Sequence, residues 1–385
     1  MTVKTRGRFR HFLRDLHLWL GVGFCLLAAP IGISGSLLVW HDGVEVLLAP
    51  ERHATTGTER GPTLADFAGR AIDRLGDGAR VTQIRLPESA GDPVVVVARP
   101  ADAGPRDTVS VWFDPPTGEV LDVGPSNNAF MRLMHDLHGN LLVPQFSGRQ
   151  IVGWVGVAML VLALSGIYLW WPRRLSLVRA LGWRRNMMPS SNMHHMFGIW
   201  IAIPLAILSL TGMYLSFPQT SRAALGALVE TTPQAPRGPG GPGGRRFGGD
   251  PMTATAMTPD QALATALAAA PAGAMPTSLS LPTVQGPEWR LMLAADTGNV
   301  TVTVADATGA TKVSEPPPPR SGDIVGRWMR WLHDGNNTGL VWQAVIFVGG
   351  LLPTLFAITG VMMWLRRRKA AKMLAAKRAA ALNAG

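Results

Sequence analysis

The chain has 385 residues, 47% of them hydrophobic and only 16% charged, with a formal net charge of +11. Its single cysteine, Cys25, excludes an intrachain disulfide and argues against cysteine-based metal or redox chemistry. The positive charge flanks apolar blocks and no aromatic-interleaved basic groove accompanies it, so it points to membrane topology and not to nucleic acid.

Residues 1–15 form a short basic N-terminus with Lys4, Arg6, Arg8, Arg10 and Arg14. Residues 16–40 are long enough to cross the roughly 30 Å hydrocarbon core as a helix. This run is too long for a signal peptide and no clear cleavage site follows it, so it is expected to remain as an anchor. Three further blocks meet the same criterion, at residues 150–171, 195–217 and 340–365. Trp40, Trp154, Trp170, Trp171, Trp342 and Trp364 stand near the ends of the blocks, as interfacial belts require. The loop 172–194 carries Arg173, Arg174, Arg179, Arg184 and Arg185, and the tail 366–385 opens on Arg366, Arg367, Arg368 and Lys369. The positive-inside rule puts the N-terminus, this loop and the tail in the cytoplasm.

Two long segments are then left outside. The first, residues 41–149, predicts a short amphipathic helix at 63–76, strands near 81–86, 93–98 and 108–113, and a turn at Asp114-Pro115-Pro116-Thr117-Gly118. The second predicts a Pro/Gly-rich linker over 218–251 and then, in 252–339, a helix at 259–270, strands at 289–294 and 300–305, and the turn Asp306-Ala307-Thr308-Gly309. Pro316 to Pro319 form a second breaker. The expected architecture is an all-α membrane core of four helices with two small outer α+β domains.

The spans repeat. Aligning His17 with His194 also aligns Gly21 with Gly198 and Ser34-Gly35 with Thr211-Gly212, without a gap. Before the second and fourth spans stand Leu137-His138-Gly139 and Leu332-His333-Asp334. Deep within those spans lie Ser165-Gly166 and Thr359-Gly360. The chain is two copies of helix, outer domain, histidine, helix.

The repeat brings His17 and His194 to one membrane face and His138 and His333 to the other. Two imidazoles from two helices at each face form the arrangement that clamps a b-type haem through both axial positions, so two haem b groups are expected. Gly21 and Gly198 would admit a flat macrocycle, and Arg14, Arg132, Arg149, Arg327 and Arg330 stand where propionates could find partners. A lone interfacial histidine is usually an anchor or a cap; the paired placement is what favours ligation here. His195 points about 100° away from His194 and competes with it. His135, one turn before His138, is the reserve ligand, and His41 is a weaker alternative without a counterpart in the second copy. His11 and His53 are expected to be solvated. The Ser/Thr-Gly pairs have a sufficient explanation in close helix packing.

The H-x3-G openings, the Leu-His before the even spans, the Ser/Thr-Gly followed by Trp and Arg-Arg, and outer segments ending in D-P-P-T-G or D-A-T-G together resemble the PepSY-associated transmembrane family. The likeness runs from about His11 to Arg368. It implies PepSY-like periplasmic domains and, within the family, similarity to inner-membrane siderophore reductases such as those acting on ferrioxamine. It further implies a haem-dependent oxidoreductase of the bacterial inner membrane that reduces a periplasmic ferric siderophore with electrons from a cytoplasmic or membrane donor. The contrasting expectation is a membrane-anchored protein whose periplasmic domains bind peptides or inhibit a protease without redox activity.

Overall fold

The computed structural model describes residues 3–104, 107–172, 176–183, 187–231, 249–295, 298–314 and 320–383. Arg173, Arg174, Arg184, Arg185, most of the Pro/Gly-rich linker and the 316–319 breaker lie outside the described residues. The elements in chain order begin with α1 (Val3–Leu38), α2 (His41–Leu48), α3 (Leu64–Leu75), β1 (Arg80–Arg85), β2 (Val94–Arg99), β3 (Val109–Phe113) and β4 (Val120–Gly124). Then follow α4 (Ala129–Asn140), α5 (Gly148–Trp170), α6 (Leu177–Ala180), α7 (Pro189–Ser216), α8 (Pro218–Gly226) and α9 (Pro259–Ala268). The chain closes with β5 (Met275–Ser280), β6 (Glu288–Ala295), β7 (Gly298–Ala305), β8 (Thr311–Ser314), α10 (Ser321–Asp334) and α11 (Leu340–Asn383). These divide into two compact units, a helical one (Met1–His41, Phe130–Thr231, Arg320–Gly385) and a sheet unit (Asp42–Ala129, Thr232–Pro319).

In the helical unit, α1, α5, α7 and α11 are, among the described residues, the helices long and apolar enough to cross a membrane. They coincide with the four predicted blocks. The principal contacts run α1 along α11 and α5 along α7, with α1 to α5 and α7 to α11 completing the bundle. Pro30, Pro204 and Pro353 sit inside three of these helices, which a membrane bundle tolerates because neighbouring helices and hydroxyl side chains satisfy the freed carbonyls.

His138 and His333 do not open the spans that follow them. They stand in the last turns of separate helices, α4 and α10. The end of α10 uses Gly335 at φ 82° as its left-handed cap. The end of α4 puts Leu141 and Leu142 at φ 54° and 61°, a conformation that disfavours branched side chains. The Leu142 amide closes that turn on the Asp136 carbonyl at 3.2 Å.

The sheet unit revises the expectation of two separate outer domains. Among the described residues its strands form one antiparallel sheet in the order β4-β3-β2-β1-β5-β6-β7-β8. Each outer segment contributes a four-stranded meander, and the two join where β1 pairs β5, with Ile84 opposite Leu279. Left alone, each meander would present an unpaired edge of backbone N–H and C=O groups; pairing removes it. β5 escaped the sequence reading because Thr277, Ser278 and Ser280 blur its alternation.

One core serves both halves. Leu64 and Phe67 of α3 and Ala262 and Ala266 of α9 bury against Ile84, Phe113, Leu279, Trp289 and Val302. Thr63 and Thr258 cap these helices through capping boxes with Asp66 and Gln261. Asp260 also accepts from the Leu64 and Ala65 amides at 2.8 and 2.9 Å, tying the start of α3 to the second half.

The two turn aspartates are buried clamps. Asp114 accepts from the Thr56 amide and hydroxyl, both at 2.7 Å, and from the Thr117 hydroxyl at 2.6 Å. Asp306 accepts from the Ala256 amide at 2.7 Å, the Trp289 indole at 2.8 Å and the Met257 amide at 3.2 Å. Burial works to raise both carboxyls, but these donors outweigh it and hold each below the ordinary carboxylate value.

Candidate functional site

The four repeat-related histidines meet in two pairs inside the helical unit. His17 of α1 and His194 of α7 have ring centres 6.4 Å apart at an interplanar angle of 77°. His138 of α4 and His333 of α10 lie 5.9 Å apart at 47°. Along α1, His17 and the Ile31 carbonyl that holds His138 are fourteen residues apart, so the pairs are separated by about 21 Å along the helix axis.

Each ring is anchored by its Nδ1. His17 meets the Ser165 hydroxyl at 2.8 Å, His194 the Thr359 hydroxyl at 3.1 Å, and His333 the Thr211 hydroxyl at 3.0 Å. His138 instead donates to the Ile31 carbonyl at 2.8 Å, since a carbonyl only accepts. The three hydroxyls spend their own hydrogen on the helix behind them: Ser165 on Leu162 at 3.2 Å, Thr359 on Leu355 at 2.8 Å, and Thr211 on Ile207 at 2.8 Å. They can therefore accept from the imidazoles. With the proton on Nδ1, as the Ile31 carbonyl requires of His138 and the hydroxyls allow in the other three, the Nε2 lone pair is available for a metal.

The glycine of each Ser/Thr-Gly pair makes room for the ring. A Cβ on Gly35 would stand 2.6 Å from His138 Cε1, one on Gly212 3.0 Å from His333 Cε1, and one on Gly166 3.4 Å from His17 Cε1. Gly360 is looser, at 3.8 Å from His194 Cε1. The motif expected to serve helix packing is thus the seat of the histidines. The signal for it was in the sequence: on antiparallel neighbours, a feature near the end of one helix lies level with a feature near the start of the next.

Two imidazoles bound through Nε2 to opposite sides of one metal place their ring centres about 6.2 Å apart, given metal–nitrogen bonds of about 2.0 Å and about 1.1 Å from nitrogen to ring centre. The observed spacings bracket that value. Among the described residues no group of three or more His, Cys, Asp or Glu is placed to hold a bare ion. Each pair offers two imidazole nitrogens, a donor set that would suit a metal whose other ligands come from a planar macrocycle.

A cavity of ≈ 390 Å³ surrounds the first pair, walled by Gly21, Gly198, Leu162 and Phe356, with Arg10, Arg14 and Arg367 among its lining. Its lining is predominantly apolar with a few polar groups, as small-molecule sites usually are. Trp170 also lines it, and its indole Nε1 is buried with no acceptor among the described residues. A buried donor left open in this way invites an anionic group of the occupant.

The remaining candidates fall outside the pairs. His195 lines the same cavity with its ring 6.3 Å from that of His194, but the Thr359 seat belongs to His194. His135 pairs with His41 at 5.5 Å and not with either ring of the second pair. His11, expected to be solvated, is exposed and also lines the cavity. Of the arginines expected to meet propionates, Arg149 binds the Leu215 carbonyl at 2.6 Å, Arg330 faces Asp334 at 3.6 Å and Arg327 lies over the Trp331 ring. Arg14 bonds Asp15 at 2.8 Å and lines the cavity. Arg132 is exposed on α4. The sequence reading missed Arg10, Arg367 and Trp170.

No curated protein matches the chain. The family model of the PepSY-associated TM region matches residues 14–367. With that match over nearly the whole length and four membrane-length helices beneath it, this is a multi-pass membrane protein, and the chain belongs to the PepSY-associated TM region family.

Proposed function

We propose that the protein is a di-haem reductase of the bacterial inner membrane, which carries electrons across the bilayer to a periplasmic ferric siderophore and releases Fe(II). The observation that carries the reading is the pair of imidazole clamps, each with Nδ1 tied to its own helix neighbour and ring centres near 6 Å apart. A haem b held by two histidines supplies a one-electron couple whose potential responds to axial ligation, burial and hydrogen bonding.

In this reading His17 and His194 would hold one group and His138 and His333 the other, with the four seats orienting the imidazoles. Arg10, Arg14, Arg367 and the open Trp170 donor face the carboxylates of the first group. The apolar walls, Leu162 and Phe356 among them, would keep water from that group. The positive-inside rule puts the termini and the His17/His194 end in the cytoplasm, where a soluble or membrane donor delivers electrons, and the sheet unit in the periplasm as PepSY-like domains. At the opposite end, the substrate's oxygen ligands bind Fe(III) far better than Fe(II), so one electron loosens the metal while sparing the chelator.

The test is the visible spectrum and haem count of the wild type against His17→Ala, His194→Ala, His138→Ala and His333→Ala. Two haems per chain are expected in the wild type. Either member of a pair should cost one haem and leave the other. Colourless protein from haem-replete cells would defeat the reading and leave the sheet unit, a peptide-binding or protease-inhibiting module, as the working part.

A further inference from the structure

We propose that His41 and His135 form a second kind of site, an exchangeable one for a divalent first-row transition-metal ion, with Fe(II) as the ion it meets in the reaction proposed above. Only that last identification rests on the haem reading. The two rings lie 5.5 Å apart at 68°. Using the same bond lengths as for the haem pairs, this spacing corresponds to an angle of about 120° at a shared ion. That is more bent than the roughly 145° that the same bond lengths give for the 5.9 Å spacing of His138 and His333, and it suits a small ion carrying water in its other positions.

The hydrogen bonding of His135 is suitable. His135 Nδ1 lies 3.0 Å from the Met131 carbonyl, so it donates there and leaves Nε2 as a lone-pair donor. His135 is exposed and His41 half-buried, so an ion can come and go. The Asp334 carboxylate interacts electrostatically with His135 and adds negative charge, part of which Arg330 offsets at 3.6 Å.

Duplication does not account for this pair. In the register that aligns His138 with His333, the partner of His135 is Arg330; in the register of the first spans, the partner of His41 is Pro218. Both imidazoles are present in one copy and both are missing from the other, as a two-residue site confined to the first half requires. Imidazole nitrogen suits borderline divalent ions, whereas oxygen chelators suit Fe(III). Reduction would therefore move the preference of the iron toward these side chains, one helical turn from His138.

The test uses full-length protein purified without a histidine tag and titrated with Ni(II), which binds nitrogen sites more tightly than Fe(II). The wild type should take up one Ni(II) per chain. Uptake should be at least tenfold weaker in His41→Gln and in His135→Gln and unchanged in His53→Gln, with the haem spectrum of His135→Gln intact. Equal affinity in the wild type and both variants would overturn the proposal, and so would loss of a haem from His135→Gln, which would make His135 an axial ligand. Protein without haem that still loses Ni(II) binding in both variants would end the haem reading and leave the ion site standing.

Discussion

At the scale of single residues, the seats decide more than the histidines do. A histidine at a membrane interface is ordinary; what makes these four ligand-like is that each Nδ1 is committed and each ring rests on a glycine. The Cβ distances separate the four glycines. At Gly35 an added methyl stands 2.6 Å from the His138 ring and must displace it, whereas at Gly360 the 3.8 Å gap is an ordinary contact. On the di-haem proposal, Gly35→Ala should therefore cost the haem proposed for His138 and His333 while sparing the other, and Gly360→Ala should be silent; difference spectra of the reduced proteins read both. Trp170→Phe keeps an aromatic ring, though a smaller one, and removes the buried donor. A hydrogen bond to a charged group contributes about 1.5–3 kcal/mol, so on the di-haem proposal transfer of haem from this variant to apomyoglobin should be about tenfold or more faster for one of the two proposed haems, with His17 and His194 unchanged.

Elements come next. The sheet unit depends on β1 meeting β5, because neither meander has a complete core or a protected edge alone. Asp114 and Asp306 hold corresponding turns in the two halves, and their carboxyls titrate below the ordinary value of about 3.9. The folded form thus binds these protons less readily than the unfolded chain. The stabilisation is fully present above the unfolded carboxylate value and is lost as pH falls through the lower folded values. Denaturant unfolding followed by amide exchange in β3 and β7 should show stability level from neutral pH to about pH 5 and falling below about pH 4. Asp306→Asn, which leaves a donor-rich pocket poorly matched, should cost about 1–3 kcal/mol at pH 7 and flatten that acid slope. An acid profile identical to wild type in Asp306→Asn would remove Asp306 from this role.

For the whole molecule, the repeat sets what can be shared between copies. Each half seats its own histidines: Ser165 holds His17 and Ile31 holds His138 in the first, Thr359 holds His194 and Thr211 holds His333 in the second. The clamps themselves form only between halves, so a single copy would carry seated imidazoles without partners. The orientation proposed for the chain can be read directly, because Cys25 is the single native cysteine. On Cys25→Ser protein in intact spheroplasts, a membrane-impermeant maleimide should label Glu59→Cys at once and Ala376→Cys only after lysis. The reverse pattern would invert the proposed direction of electron flow.

Sequence alone determined the spans, the repeat and the identity of the four paired histidines, because membrane length, charge asymmetry and internal register are one-dimensional properties of a chain. The fusion of two outer meanders into one sheet was not legible, since the joining strand β5 is too polar to show a period and strand pairing between distant segments leaves no local mark. The hydroxyl and carbonyl seats, the bent His41/His135 pair and the open Trp170 donor were likewise settled only in three dimensions. Each depends on which side chains of different helices lie level, and antiparallel packing fixes that depth where sequence separation does not.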